Sequence, residues 1–124
     1  MTSPANDRAA AIRHELAHFT GTEKYYRHGL IRNVLATEGA KAFFDLTGTY
    51  WLWDIIATEL TPLMEKEGWL SITLDVKDQR AQITATDGNR ETPLWTKDIE
   101  YTDCPEGRWT LYFADHVLLL PSEY

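Results

Sequence analysis

The second half of the chain alternates hydrophobic and polar residues along short segments. In WLSITLDV the apolar side chains of Leu70, Ile72 and Leu74 alternate with polar ones, which is typical of a strand with one buried face. AQITAT, PLWTKDIEY and WTLYF also read as strands, and KDQR, DGNR and CPEG supply turn residues between them. Because short turns favour antiparallel pairing, we predict an antiparallel meander of about four strands, followed by a short apolar strand in DHVLLLPSEY.

The N-terminal segment carries helix signals. Ser3 and Pro4 are typical of an N-cap and a first helical position, so we predict a helix from Pro4 to about Phe19. Gly21 is suited to end it in a left-handed cap. An irregular connector is then expected over residues 20–33, and VLAT is expected to form a short strand.

Two more helices are predicted between the connector and the sheet. The first covers residues 38–47, with Thr37 as its N-cap and Gly48 after its end. The second is YWLWDIIATELTPLMEKEG, which ends before Gly68. Pro62 should kink or restart that helix, because proline lacks an N–H and its ring clashes with the preceding turn.

Helices followed by strands predict an α+β fold in which the N-terminal helices pack on one face of the C-terminal antiparallel meander. The length of 124 residues suits a single domain. The predicted domain has an N-terminal helix in residues 1–21, a connector and helices in residues 22–68, and an antiparallel sheet in residues 69–124.

The charge of the chain limits its partners. The formal net charge is −7, with 12 Lys and Arg against 19 Asp and Glu. A nonspecific nucleic-acid binder normally has a basic excess or a basic stripe, so direct nucleic-acid binding is not expected. An acidic protein is suited to dock on a basic surface, and we therefore expect a protein partner, including one with a basic nucleic-acid-binding surface.

The same composition predicts a cytoplasmic protein. No apolar run approaches the roughly 18 residues of a membrane span, and MTSPANDRAA lacks the apolar region of a signal peptide. The single cysteine, Cys104, cannot form an intrachain disulfide, which fits a reducing compartment.

The segment RHELAHF contains the pattern H-E-x-x-H of zinc peptidases. His14 and His18 would bind the metal, and Glu15 would activate the bound water. Helical geometry opposes this interpretation, because Ile12 and Leu16 lie on one side of the helix and both histidines on the other. The two other histidines are isolated in predicted loops. We predict no bound cofactor and keep a small zinc-dependent hydrolase as an alternative.

Two aromatic segments are candidates for a binding surface. In GTEKYYRHG we expect one of Tyr25 and Tyr26 to be buried and its neighbour to be exposed. In TGTYWLWDII the helix is apolar on all sides, which favours a core helix, although an exposed Trp53 would suit an interface anchor. The predicted partner-binding residues combine these aromatics with acidic residues of the sheet: Tyr25, Tyr26, Trp53, Asp75, Asp78 and Asp87.

The blocks FTGTEKYYRH, YWLWDII, IEYTD and LLLPSEY together resemble DUF6876, a family of small proteins of unknown function from bacteria, plasmids and phages. The resemblance extends from Leu16 to Tyr124. It implies no catalytic mechanism, so no functional residues are carried over. It also implies that a polar residue other than His usually stands at position 18, which makes the H-E-x-x-H pattern incidental, and it implies a mobile-element context.

The leading hypothesis is a non-catalytic protein-binding module of a phage or other mobile element. Such a module would inhibit a host defence complex, as anti-CRISPR proteins do, by placing an acidic surface in a basic nucleic-acid channel. A structural or self-assembling dimer is a further alternative, in which the strand DHVLLLP pairs across a two-fold axis. The sequence leaves open whether the protein is a monomer or a homodimer.

Overall fold

Three helical segments pack against one face of a seven-stranded mixed sheet in the computed structural model, which describes residues 4–21, 24–88 and 92–124. The α+β class predicted from the order of the elements is therefore confirmed. Within the described ranges, none of the helices combines the length and apolar character needed to cross a membrane.

The helices begin and end mostly where local signals place them. The N-cap Thr37 accepts a hydrogen bond from the N–H of Ala40 at 3.1 Å, and Gly48 ends the same helix at a φ of 70°. Pro62 lies in the first turn of the last helix, directly after a π-helical turn that accommodates its missing N–H. The helical elements are α1 (Pro4–Leu16), α2 (Glu38–Thr47), α3 (Tyr50–Ile55), the π-helix (Ile56–Leu60) and α4 (Thr61–Glu67).

Helix α1 ends at Leu16, earlier than the predicted Phe19. The N–H of His18 bonds to the carbonyl of Glu15 at 3.2 Å and that of Phe19 to the carbonyl of Leu16 at 3.1 Å, so the chain tightens after the last α-helical turn. The Phe19 carbonyl then accepts from the hydroxyl of Ser122 at 2.7 Å, a tertiary contact that local sequence signals do not reveal. The predicted N-cap at position 3 lies outside the described residues.

The sheet has the strand order β1-β2-β7-β6-β3-β4-β5. Strands β2 and β7 pair in parallel, and every other neighbouring pair is antiparallel. A 3-10 turn at Pro121–Glu123 follows the last strand. The strands are β1 (Tyr25–Arg27), β2 (Leu35–Thr37), β3 (Trp69–Lys77), β4 (Arg80–Thr86), β5 (Trp95–Ile99), β6 (Gly107–Ala114) and β7 (Val117–Leu119).

The predicted meander of about four strands is wrong in two respects. Only β3, β4 and β5 follow one another, because β6 pairs with β3 and not with β5. In that position the alternating apolar side chains of β6 lie beside those of the central strand β3. Strands β1 and β2 also join the sheet from the region assigned to the connector and helices. Short turns predict antiparallel pairing, but they do not specify the side on which a strand adds.

The two faces of the sheet differ in character. Leu70, Ile72 and Leu74 of β3 are at most 1% exposed and share one core with Phe44 and Leu52 of the helices. On the opposite face, the register aligns four threonines across four strands: Thr110, Thr73, Thr84 and Thr96. The helices thus cover the apolar face, and edge strand β1 lies beside α2.

Candidate protein-binding surface

The two histidines of the H-E-x-x-H segment lie on the surface. His14 is in the last turn of α1 and His18 follows its end, with ring centroids 5.2 Å apart. The buried side of α1 carries Ile12, and both histidines are exposed. In the ranges that the structure describes, no group of three His, Cys, Asp or Glu side chains is placed to hold a metal ion.

Cys104 is unsuited to nucleophilic chemistry. Its side chain is buried, and this desolvation raises the pKa of the thiol to about 12. A nucleophilic cysteine needs the opposite shift, because the thiolate is the reactive form. The segment CPEG that contains it forms part of the connection between β5 and β6.

Trp53 is a core residue, as an all-round apolar helix favours, and not the exposed anchor included among the predicted partner-binding residues. It is 5% exposed and stacks on Phe44, with centroids 5.4 Å apart and ring planes 5° apart. The rings of Trp53 and His28 also meet in a T-shaped contact, with centroids 5.4 Å apart. Since α3 is apolar on more than one side, its sequence did not indicate which tryptophan would be buried.

The predicted acidic residues do not form one patch. Asp75 pairs with Arg108 at 2.7 Å across β3 and β6. Asp78 lies in the turn between β3 and β4, whereas Asp87 follows the other end of β4. The strand between them has seven residues, which corresponds to a separation of roughly 23 Å. An acidic contact surface built from all three is therefore not formed.

Both tyrosines of the YY pair are exposed, contrary to the expectation that one would be buried. Tyr25 is 55% and Tyr26 40% exposed. They lie on β1, a strand of three residues that pairs with β2 and, in the described ranges, with no other strand. Tyr26 lies opposite the buried Ala36 and so faces the helices, while Tyr25 faces the other side of the strand.

Tyr26 belongs to a small network with α2 and α3. The ammonium of Lys41 lies 5.2 Å from the centre of the Tyr26 ring and 5.3 Å from that of Tyr50. It also donates to both carboxylate oxygens of Asp45, at 3.1 and 3.0 Å. The hydroxyl of Tyr50 donates to the same carboxylate. One ammonium thus lies within cation–π distance of two exposed aromatic rings.

The hydrogen bonds of this network shift the ionisation of its members. Bonds with Tyr50 and then with Asp45 raise the pKa of Lys41. Burial and the bond to Asp45 raise the pKa of Tyr50. Burial alone would raise the pKa of the Asp45 carboxyl, but the bonds from Tyr50 and Lys41 outweigh it and lower that pKa. At neutral pH the network therefore contains an ammonium, a carboxylate and a neutral phenol.

The loop after β1 extends this exposed region. His28 is buried and its Nε2 lies 2.7 Å from the carboxylate of Asp54, one helical turn from Tyr50. Leu30, two residues later, is 83% exposed.

Most of the exposed large hydrophobic side chains lie on neighbouring elements of the fold. Among the described residues, seven large hydrophobic side chains are exposed, and five of them lie on β1, the loop after it, α2 or α3. We call these five the tyrosine surface: Tyr25, Tyr26, Leu30, Leu46 and Tyr50. Such a concentration is typical of protein–protein contact sites.

The sequence indicates part of this surface. The YY pair is a candidate because of its aromatic residues. Lys41 and Asp45 are not among the predicted binding residues, although their spacing of four residues in a predicted helix is that of a surface ion pair. Leu46 and Leu30 carry no local signal of exposure, because an exposed leucine and a core leucine look alike in sequence.

The fold and this surface define a small two-layer α+β domain with an exposed aromatic edge. The chain belongs to the family of unknown function DUF6876, whose model matches residues 10–124. This confirms the resemblance carried by its sequence blocks. No curated protein and no solved structure matches the chain.

Proposed function

We propose that this protein is a non-catalytic protein-binding module that contacts its partner through the tyrosine surface. The observation that carries the proposal is that five of the seven large hydrophobic side chains exposed among the described residues lie on β1, the loop after it, α2 and α3. Tyrosine is enriched at binding hot spots, because it contributes a large rigid contact area and a hydroxyl that hydrogen-bonds.

The edge strand adds a second means of contact. Apart from its pairing with β2, β1 has no strand neighbour in the described ranges. Its outer edge can therefore pair with an extended segment of a partner, as in β-strand addition. Tyr25 and Tyr26 alternate across that edge and would contact both faces of an added strand.

The network around Lys41 lowers the entropic cost of binding. The rings of Tyr26 and Tyr50 both lie beside the ammonium of Lys41, which also donates two hydrogen bonds to Asp45. Side chains that are ordered before binding lose less conformational entropy when a partner arrives.

The test is affinity capture from a lysate of the organism that carries the gene. The unaltered protein is compared with a Tyr25→Ala/Tyr26→Ala variant and with Tyr101→Ala, a control that removes another exposed tyrosine, 68% exposed, near the far edge of the sheet. We expect one protein to be retained in stoichiometric amount by the unaltered chain and the control but not by the double variant. The complex must then form again from the two purified components.

Capture of the same proteins by all three forms, or loss of the partner only in Tyr101→Ala, would contradict the proposal. Circular dichroism on each variant separates a lost contact from a lost fold. The double variant should fold, since both of its side chains are exposed.

We further propose that the partner is a basic host defence complex. The protein, which would come from a phage or another mobile element, would inhibit that complex. Support comes from the net charge of −7. Because Asp75, Asp78 and Asp87 are not gathered in one patch, this charge would act as an overall field that speeds association. The association rate with the identified partner should then fall steeply with added salt. A salt-independent association rate would contradict the proposal of a basic partner, but it would not contradict binding through the tyrosine surface.

A further inference from the structure

A cavity of about 320 Å³ lies between the end of α1, strand β6 and the segment that follows β7. Its floor is apolar, since it consists of the buried side chains of Phe43, Trp109 and Leu120. The Nε1–H of Trp109 donates a hydrogen bond to the carbonyl of Pro105 at 2.9 Å, which orients the ring. The volume is at the lower end of the range for small-molecule sites.

One wall of the cavity is an open edge of the sheet. Strand β7 pairs only with residues 112–114 of β6, so residues 107–110 have no strand neighbour on that side in the described ranges. The carbonyl of Arg108 points to this side, where it accepts from Nη2 of Arg13 at 2.9 Å. Thr110 is two residues further along the strand, and its N–H and C=O therefore point the same way.

A cation stands over the apolar floor. The guanidinium of Arg13 lies 4.1 Å from the centre of the Trp109 ring, where its position favours a cation–π contact. None of the ion pairs among the described residues includes Arg13, whereas Arg108 is paired with Asp75. A guanidinium has five N–H donors, and the bond to Arg108 uses one of them.

We propose that this cavity binds a small amphipathic monocarboxylate, such as a phenyl-substituted or short alkyl acid. Its carboxylate would pair with the Arg13 guanidinium and accept from the N–H of Thr110, and its apolar body would lie beside the Trp109 ring, against the apolar side chains of the floor. A guanidinium and a carboxylate match in charge and in planar geometry. The site shares no residue with the tyrosine surface, although both include side chains of α2.

The experiment uses the full chain, labelled with ¹⁵N, and phenylacetate as the probe. Phenylacetamide is the matched control, since it has the same ring and nearly the same shape but no charge. We expect phenylacetate to produce saturable shifts of the Trp109 indole N–H and the Thr110 amide, with an affinity roughly tenfold higher than that of phenylacetamide.

A variant tests the role of the cation. Arg13→Gln should weaken phenylacetate binding roughly tenfold and leave phenylacetamide binding unchanged. Arg80→Gln, which removes an exposed arginine in the hairpin between β3 and β4, should change neither. Equal binding of the acid and the amide by the unaltered protein would overturn the proposal, as would no saturable shift of either reporter. The comparison of acid with amide decides the matter even if Arg13→Gln does not fold.

Discussion

At the scale of single residues, His28 shows how one side chain fixes a loop. Its Nδ1 accepts from the N–H groups of Leu30 at 3.1 Å and Ile31 at 2.9 Å, so this nitrogen carries no proton. The proton is on Nε2, which donates to Asp54 at 2.7 Å. The imidazole thereby joins the loop after β1 to α3 and holds one side of the tyrosine surface.

We expect His28→Ala to lower the free energy of unfolding by about 2–4 kcal/mol, because it leaves two main-chain N–H groups without their acceptor and opens a cavity beside Trp53. Asp54→Asn keeps an acceptor for Nε2 and should change stability by less than about 0.5 kcal/mol. Urea denaturation followed by tryptophan fluorescence measures both. A His28→Ala variant as stable as the unaltered protein would show that the imidazole does not anchor the loop.

Single residues also show what local sequence patterns do and do not predict. His28 looked isolated because its partner Asp54 lies 26 residues away. Trp53 was misjudged because α3 is apolar on more than one side, so periodicity alone did not identify its buried face. The exposure of the H-E-x-x-H histidines was predicted correctly, since the apolar residues of α1 define one side of that helix.

At the scale of elements, the N-terminus of α2 is capped by two residues that lie far apart in the sequence. The first is Thr37, the N-cap directly before the helix. The carboxylate of Glu123 accepts from the Thr37 hydroxyl at 2.6 Å and from the N–H of Gly39 at 3.2 Å. A carboxylate at a helix N-terminus is favoured by the helix dipole. The segment LLLPSEY therefore has a structural role, because its 3-10 turn places Glu123 at the start of α2.

Glu123→Ala should destabilise the fold by about 1–3 kcal/mol, because it removes the acceptor for Gly39 and for the Leu120 N–H. Glu100→Ala, which removes an exposed glutamate at the end of β5, is the control and should have little effect. Thermal unfolding of the two variants is the measurement. Equal melting temperatures in all three proteins would mean that the distant cap does not contribute.

Local signals predicted local elements well. Helix α2 lies between the predicted Thr37 and Gly48, and the alternation in β3 and β4 gave their buried faces. Strand β1 was missed because all three of its residues are exposed and show no alternation. The strand order was missed because it depends on pairing between distant segments, above all β3 with β6 and β2 with β7.

At the scale of the whole molecule, the position of each strand restricts how the protein can assemble. The proposed dimer through DHVLLLP is not possible by strand pairing, because β7 lies inside the sheet between β2 and β6. The outer strands in the described ranges are β1 and β5, and β1 carries the exposed tyrosines. Addition of a partner strand at the sheet edge is therefore expected at β1, in agreement with the proposed function.

We predict a low zinc content for the purified protein. Protein purified without a metal-binding tag and without chelator should hold far less than one zinc per chain. His14 and His18 are exposed, and the described residues supply no third ligand beside them. Elemental analysis by mass spectrometry gives the ratio. About one zinc per chain, lost in His14→Ala, would instead support the hydrolase alternative.

The most direct test of the central claim is photo-crosslinking in cells with a benzophenone amino acid at single positions. Position 26 lies on the tyrosine surface, and Thr96 is an exposed control position on β5 at the opposite edge of the sheet. A protein-binding module that uses the tyrosine surface should give one discrete crosslinked partner from position 26 and none from position 96. A partner crosslinked only from position 96, or no crosslink from position 26, would contradict the account.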